Sequence, residues 1–302
     1  MDELDAAGIK DERLRHSYLE CKRLNSLHGK TYYLATLLLP KSKRPFVHAL
    51  YGFARYADEI VDDLDSKLSP QEKRLELERW SHQLLQDIKA GRSEDHIGRA
   101  LVDTVNRFSI PIAYFEAFLH SMAMDLDVTE YESFDSLMEY VYGSAAVIGL
   151  QMVPILGAIP GREKEALAAA EKLGIAFQLA NFIRDVGEDL DRGRVYLPID
   201  ELERFGVDRA MLERRMLTPE IISALKFQIE RVRELQRAAN QGIALLSAES
   251  RPCIEAASEL YCGIVDEVER INYQVFKKRA TTSTWRRIRV ALPAWLRAIR
   301  AR

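Results

Sequence analysis

Along almost all of the 302 residues, apolar positions recur three and four apart rather than at every second residue. That spacing predicts amphipathic helices, and Gly and Pro are too sparse for a chain of strands and turns. Ser69-Pro70-Gln71-Glu72 predicts a helix start, with a capping serine, a proline at the first position and a glutamate at the third. The helix it opens runs to about Ala90 and stops at Gly91. Thr218-Pro219-Glu220 predicts another start of the same kind. No Pro/Ser-rich linker and no internal repeat interrupts the pattern. The chain therefore reads as one all-α domain, with residues 1–284 as its body and 285–302 as a basic amphipathic tail.

Two stretches carry polar stripes that the core does not need. In QLANFIRDVGED, Gln178, Asn181, Asp185 and Asp189 fall at i, i+3, i+7 and i+11, which places them on one side of a helix. In YGFARYADEIVDD, Tyr51, Arg55, Asp58 and Asp62 have the spacing i, i+4, i+7 and i+11. Carboxylates one turn apart repel by about 0.2–0.5 kcal/mol. One such pair is usually a solvated face. Two copies, each with an arginine and apolar neighbours, point to a shared cation. Oxygen donors suit Mg²⁺, which takes a few carboxylates and completes its shell with water and substrate phosphates. The implied substrate carries a diphosphate, with Arg55 and Arg184 positioned to clamp it.

Between Glu139 and Arg162 lie 22 uncharged residues, YVYGSAAVIGLQMVPILGAIPG. By length they could cross a membrane. The interruptions at Gly143, Ser144, Gly149, Gln151 and Pro154 favour a buried helix whose small residues admit a long apolar ligand. Ser144, Ala145, Ala146 and Ile148 are the positions expected to face it. His28-Gly29-Lys30-Thr31 precedes another apolar run, where His28, Lys30 and Thr31 offer donors to phosphate or simply form a turn. After the second stripe, DRGRVYLP reads as a loop whose arginines can close over phosphates. Tyr261 sits in a late helical stretch, YCGIVDEVERINYQVF, as wall or as ligand contact.

A hydrophobic share of 47% supports a sizeable core. Cys21, Cys253 and Cys262 form no Cys-x-x-Cys pair, which argues for a reducing compartment and against a cysteine metal site. The charged N-terminus MDELDAAGIKDERLRH is not expected to be a signal peptide. The net charge of −3 hides an asymmetry. Ten of the 43 basic residues, and none of the 46 acidic ones, follow Glu269, so residues 1–269 stand at −13. An acidic body argues against a nucleic-acid partner. No Gly-x-Gly-x-x-Gly follows a strand, so no nicotinamide cofactor is expected.

At these residues the sequence resembles the squalene/phytoene synthase family, and within it the bacterial phytoene synthases. The similarity runs from about His28 to Phe276. It is carried by HGKTYYLATLLLP, LYGFARYADEIVDD, YVYGSAAVIGLQ, FQLANFIRDVGEDLDRGRVYLP and YCGIVDEVERINY, in that order. The resemblance implies the class I isoprenoid synthase fold, all-α around a central cavity. It also implies Mg²⁺-dependent head-to-head condensation of two prenyl diphosphates, with Mn²⁺ as the alternative ion. It makes Asp58 and Asp62 one metal pair and Asn181 and Asp185 the other, with Asp189 as further ligand or support. His28, Gly29, Lys30, Thr31, Tyr51, Arg55, Gln178, Arg184 and Tyr261 correspond to residues that contact the diphosphates or the first prenyl chain. Two departures stand out. Gly29 and Thr31 replace serines common in relatives, and Ala145-Ala146-Val147 replaces the usual Ala-Gly-Thr.

The expected product is phytoene from two geranylgeranyl diphosphates. The C15 alternative is farnesyl diphosphate going to presqualene diphosphate, dehydrosqualene or squalene. A chain-elongating transferase would need Asp-Asp-x-x-Asp, and Asp62-Asp63-Leu64-Asp65 misses that spacing. A terpene cyclase would need Asn-x-x-x-Ser-x-x-x-Glu, and Asn181, Asp185 and Asp189 match the spacing only. A silent relative acting as a membrane-associated assembly factor should have lost its aspartates. Oligomeric state is left open. In the tail, Trp285, Ile288, Leu292, Trp295, Leu296 and Ile299 fall within about 100° of helical arc. Pro293 is expected to split this segment into two short helices. Such a stripe beside arginines predicts an anchor on an anionic membrane, and a peripheral protein on the cytoplasmic face. The competing expectation is a tail packed on its own acidic body.

Overall fold

The computed structural model describes residues 2–62 and 68–301, and of Asp62 the backbone only. Asp63-Leu64-Asp65, and the side chain of Asp62, lie outside the described residues. Among the described residues the fold is all-α, with two isolated β-bridges and no strand. Helices α1 (Glu3–Ala6) and α2 (Glu12–His28) start at side-chain caps from Asp2 and Asp11. Gly29 separates α2 from α3 (Lys30–Thr36), and a Cβ there would lie 2.6 Å from the ring of Tyr51. Then come α4 (Arg44–Asp62) and α5 (Pro70–Ala90), the latter opened by the Ser69–Glu72 capping box and closed by Gly91. Helices α6 (Gly98–Phe108) and α7 (Ile112–Met124) complete the first half, where Tyr18, Phe53 and Phe115 are fully buried.

Most of the uncharged run is interior, with Tyr142 and the end from Ile159 to Gly161 exposed. Helix α8 (Phe134–Val141) passes through a π-turn, Tyr142–Ala146, into α9 (Val147–Leu156). Its glycines serve helix packing. A Cβ on Gly143 would lie 2.1 Å from the Ala117 carbonyl of α7. One on Gly149 would lie 2.4 Å from the Ala170 carbonyl of the next helix, α10 (Glu163–Asp191). Helix α10 packs along α13 (Pro219–Ile243), reached through α11 (Ile199–Glu203) and α12 (Arg209–Glu213). The single late helix expected around Tyr261 is two: α14 (Arg251–Cys262) and α15 (Ile264–Arg270) meet at Gly263. A Cβ on Gly263 would run into the guanidinium of Arg286, whose Nη1 donates to the Gly263 carbonyl at 3.3 Å.

The tail also departs from expectation. It forms one helix, α16 (Thr284–Arg300), with Pro293 inside it, packed against α14. The two halves of the molecule have separate apolar cores, and an internal cavity lies where they meet.

Candidate active site

The cavity has two parts. The inner chamber, about 320 Å³, is walled almost wholly by apolar groups, among them Leu50 of α4, Ile148 of α9, Leu173 of α10 and Ala257 of α14. The outer mouth, about 350 Å³, is lined by Arg55, Asp58, Asn181, Arg184, Asp185 and Asp189, among others. Tyr51, Ala54, Phe118, Ser144 and Gln178 border both parts. Among the described side chains, both polar stripes thus face one space. Val47, Leu50, Ala54 and Asp58 show how α4 passes from chamber to mouth along its length. Helix α10 does the same through Ala170, Gly174, Gln178 and Asp185.

Both helices reach the mouth with their C-terminal ends, where the helix dipole is negative, and neither has a basic residue in its last turn. Carboxylates there are disfavoured unless a cation offsets them. In α4, Arg55 donates to Asp58 at 2.6 Å and to Glu59 at 3.0 Å. In α10, Arg184 donates from Nε and Nη2 to Asp185 at 2.7 and 2.5 Å. Burial disfavours the Arg184 cation, but hydrogen bonding and charge from Asp185 outweigh it, so its pKa rises above that of a free guanidinium. Asp189 lies deeper. Burial first, and the charge of Asp185 second, push its carboxyl up to about 7 against the pull of Arg192 and Arg194. The buried Oδ1 of Asn181 has no hydrogen-bond partner. An unpartnered amide oxygen and a carboxylate driven towards its neutral form, both lining one mouth, fit a hard divalent cation held by oxygen.

The other expected residues sit at the rim or behind the wall. His28, exposed at the end of α2, lies 3.9 Å from Glu59, and Gly29 backs onto Tyr51. Lys30 is exposed and Thr31 half-buried; none of these four lines the mouth. Tyr261 is buried, stacked between Tyr32 at 4.5 Å and Phe177 at 4.8 Å, which do line the chamber. Ser144, Ala145 and Ile148 face the chamber as expected, but Ala146 does not. It is fully buried against α10, where a Cβ on Gly174 would sit 3.2 Å from its Cα.

Two groups at the mouth went unnoticed in the sequence. Asp125, just past α7, accepts hydrogen bonds from Tyr140 at 2.8 Å and Tyr196 at 2.9 Å, while its carbonyl accepts from Arg194 at 2.8 Å. Burial and the Asp125 charge hold the Tyr140 phenol well above its usual range. Arg279, in the segment after α15, donates from Nε and Nη2 to Asp185, both at 3.0 Å, and lies 3.4 Å from Glu188.

Comparison with known proteins places the chain in a family. A family profile described as squalene/phytoene synthase matches residues 26–286. The 15-cis-phytoene synthase of Synechococcus elongatus is 36% identical over 94% of this chain and 94% of its own. The chloroplast phytoene synthase of Narcissus pseudonarcissus is 39% identical over 93% of this chain and 66% of its own. Among solved structures, a dehydrosqualene synthase bound to a ligand superposes with a TM-score of 0.85 at 26% identity, covering 97% of this chain and 98% of the other. A squalene synthase from Alicyclobacillus acidocaldarius, at 22% identity and a TM-score of 0.79 over 89% of this chain and 98% of its own, shares the fold.

Proposed function

This chain belongs to the squalene/phytoene synthase family and is a prenyltransferase, and from that premise we propose that it joins two geranylgeranyl diphosphates head to head. The route passes through a cyclopropyl diphosphate to phytoene, for carotenoid biosynthesis. The observation that carries this reading is a mouth of paired carboxylates and arginines opening directly into an apolar chamber. The names of the relatives from Synechococcus and Narcissus support the C40 product.

Asn181, Asp185 and Asp189 on α10, with Asp58 and Asp62 on α4, would hold Mg²⁺ or Mn²⁺. Once bound, the ion would neutralise diphosphate and make it a leaving group. Arg55 and Arg184 offer planar forks matched to diphosphate oxygens. Gln178, where mouth and chamber meet, marks the height at which the diphosphate ends and the prenyl chain begins. Loss of the first diphosphate leaves an allylic cation beside the aromatic faces of Tyr51 and Tyr140, which stabilise it. The 2,3-double bond of the second substrate attacks, and a proton leaves as the cyclopropane closes. A second ionisation, rearrangement and proton loss give the linear triene. Two diphosphates and two protons leave and nothing is oxidised or reduced, so the reaction needs no nicotinamide. The chamber walls keep water from the cations.

The C15 reading is favoured by one observation, the superposition on a dehydrosqualene synthase. Incubating purified protein with each prenyl diphosphate, with Mg²⁺ or with chelator and without any nicotinamide, and identifying the extracted hydrocarbon separates the two. Phytoene from the C20 substrate, lost with chelator, is expected. A C30 hydrocarbon from the C15 substrate and nothing from C20 would overturn the assignment.

A further inference from the structure

Helix α16 is mounted the wrong way round for a helix that belongs only to a core. A surface helix normally buries its large apolar face and shows its polar one. Here the buried residues are Ala294 and Ala298. Arg286 donates to Asp266 at 2.8 Å and lies 3.6 Å from Glu267; Arg297 pairs with Glu255 at 3.2 Å. These residues share one side of the helix. The large apolar residues lie about half a turn away around the axis. Trp285 is 81% exposed, and Ile288, Leu292, Trp295, Leu296 and Ile299 are each 46–55% exposed. The helix thus docks through small residues and ion pairs, and its two tryptophans and four aliphatic side chains form a continuous outward stripe.

Charge indicates what covers it. Arg289 and Arg300 are exposed and fall just beside the stripe on the helical wheel. No acidic residue occurs anywhere after Glu269, while the rest of the chain is strongly acidic. A second copy of this chain would bring a strongly acidic body, which suits the arginines but not the apolar stripe. An anionic bilayer matches both features, since it takes tryptophan and aliphatic side chains at headgroup depth and rewards the flanking arginines. We propose that α16 is an in-plane membrane anchor, held rigidly on the body by its alanine face and seated on an anionic lipid surface by its outward stripe. The leaflet of that chemistry that faces the cytoplasm is its natural site. The tail packs on the acidic body, as the competing expectation had it, and still presents its apolar side outwards.

The mounting also sets an orientation. On α14, Cys253 and Ala257 face the chamber. Glu255 and Gly263, which meet α16, lie on roughly the opposite side of that helix. One helix thus separates the chamber from the anchor, and the bilayer would lie against the chamber side of the molecule. The proposal does not depend on which hydrocarbon the chamber makes.

The test uses the full chain with vesicles of phosphatidylcholine alone or mixed with phosphatidylglycerol, at low and high salt. Trp285→Ser/Leu292→Ser/Trp295→Ser removes half of the stripe, including both tryptophans, and Arg289→Glu/Arg300→Glu reverses its flank. These positions are exposed, so unchanged helical circular dichroism and melting are expected. Wild-type protein should co-sediment with anionic vesicles, with a blue shift of tryptophan emission, and less so at high salt. The triple variant should lose at least about tenfold in partitioning. The charge reversal should weaken binding to anionic vesicles and leave the weak binding to neutral ones unchanged. Equal co-sedimentation of wild type and triple variant, or none by either, would overturn the proposal. So would wild-type dimers in sedimentation velocity that the triple variant lacks, since the stripe would then be a contact between copies.

Discussion

The mouth and the chamber are built on the same helices yet obey opposite rules. In the chamber, substitutions that preserve volume and apolarity should be tolerated, because its walls act by shape and dryness. In the mouth, a single atom type matters, because Asp185 alone engages two guanidinium groups. The change from one regime to the other takes about one turn. On α10 it falls between Phe177 and Asn181, and on α4 between Leu50 and Arg55. Charge and water are thereby confined to one end of a space whose other end must exclude both. An enzyme handling a diphosphate on a long hydrocarbon needs that separation along a single axis.

The largest effect should come from breaking the mouth alone. Asp185→Asn keeps the volume but removes the charge that α10 presents beside Arg184 and Arg279. Product formation should fall at least about a hundredfold while helical content stays that of wild type. Asp58→Asn should behave alike. Near-normal turnover in either variant would mean that the stripes do not form one site.

Breaking the chamber alone should change which substrate is used. Ala145 lines the chamber from the π-turn, so Ala145→Phe adds bulk where a prenyl chain would lie. The ratio of C20 to C15 turnover should drop by about tenfold or more. Ala146→Phe is the control. It points into the α10 contact, so it should destabilise the protein and affect both substrates alike. If the two variants shift selectivity equally, the chamber wall does not run where the structure places it.

A smaller effect, read without turnover, sharpens the claim that the mouth holds a cation. Ligands that bind only the folded state raise its melting temperature. Mg²⁺ with inorganic diphosphate should raise that of the wild type by a few degrees, about 2–4 °C or more. In Asp189→Asn the rise should shrink, since the half-buried carboxylate that favours a cation is gone. An identical rise in the variant would remove Asp189 from the metal site and leave it as a support.

How legible all this was depends on sequence distance. The two stripes could be read directly because a helix converts a spacing of three, four and seven into a direction in space. The start and stop of α5 were equally plain, since capping is local. Asp125 was not legible: its partner Tyr196 is 71 residues away, and nothing in the local pattern distinguishes it from the neighbouring Asp127. Arg279 entered only the count of basic residues after Glu269, yet it crosses 94 residues to reach Asp185. The break at Gly263 follows glycine's own poor helix propensity, with Arg286 filling the space a Cβ would take. The continuity through Pro293 does not: there packing on α14 carries the helix past a residue that locally breaks it.

The smallest expected effect concerns a polar group buried away from the site, which tests whether the mouth is unusual or merely polar. His48 lies on α4, fully buried, at the end of the helix remote from Asp58. Its Nδ1 is 3.0 Å from Nδ2 of Asn25, which can donate to it in the neutral ring. Its Nε2 lies 4.0 Å from Glu3 and makes no hydrogen bond. Burial lowers its pKa to about 4, Glu3 opposes that, and Lys22 and Arg44 reinforce it. The unfolded ring titrates near 6.5. Between those values the unfolded chain binds more protons, so the folded state loses stability as pH falls from about 6.5 to 4. His48→Gln removes the titration. Its melting temperature should fall less steeply over that window, with a difference in slope worth about 2–4 °C. Mg²⁺ and diphosphate should stabilise this variant as much as the wild type, because His48 belongs to the packing of α4 and not to its stripe. A lost Mg²⁺ response in His48→Gln would show that the two ends of α4 are coupled, and the division between core and mouth would have to be redrawn.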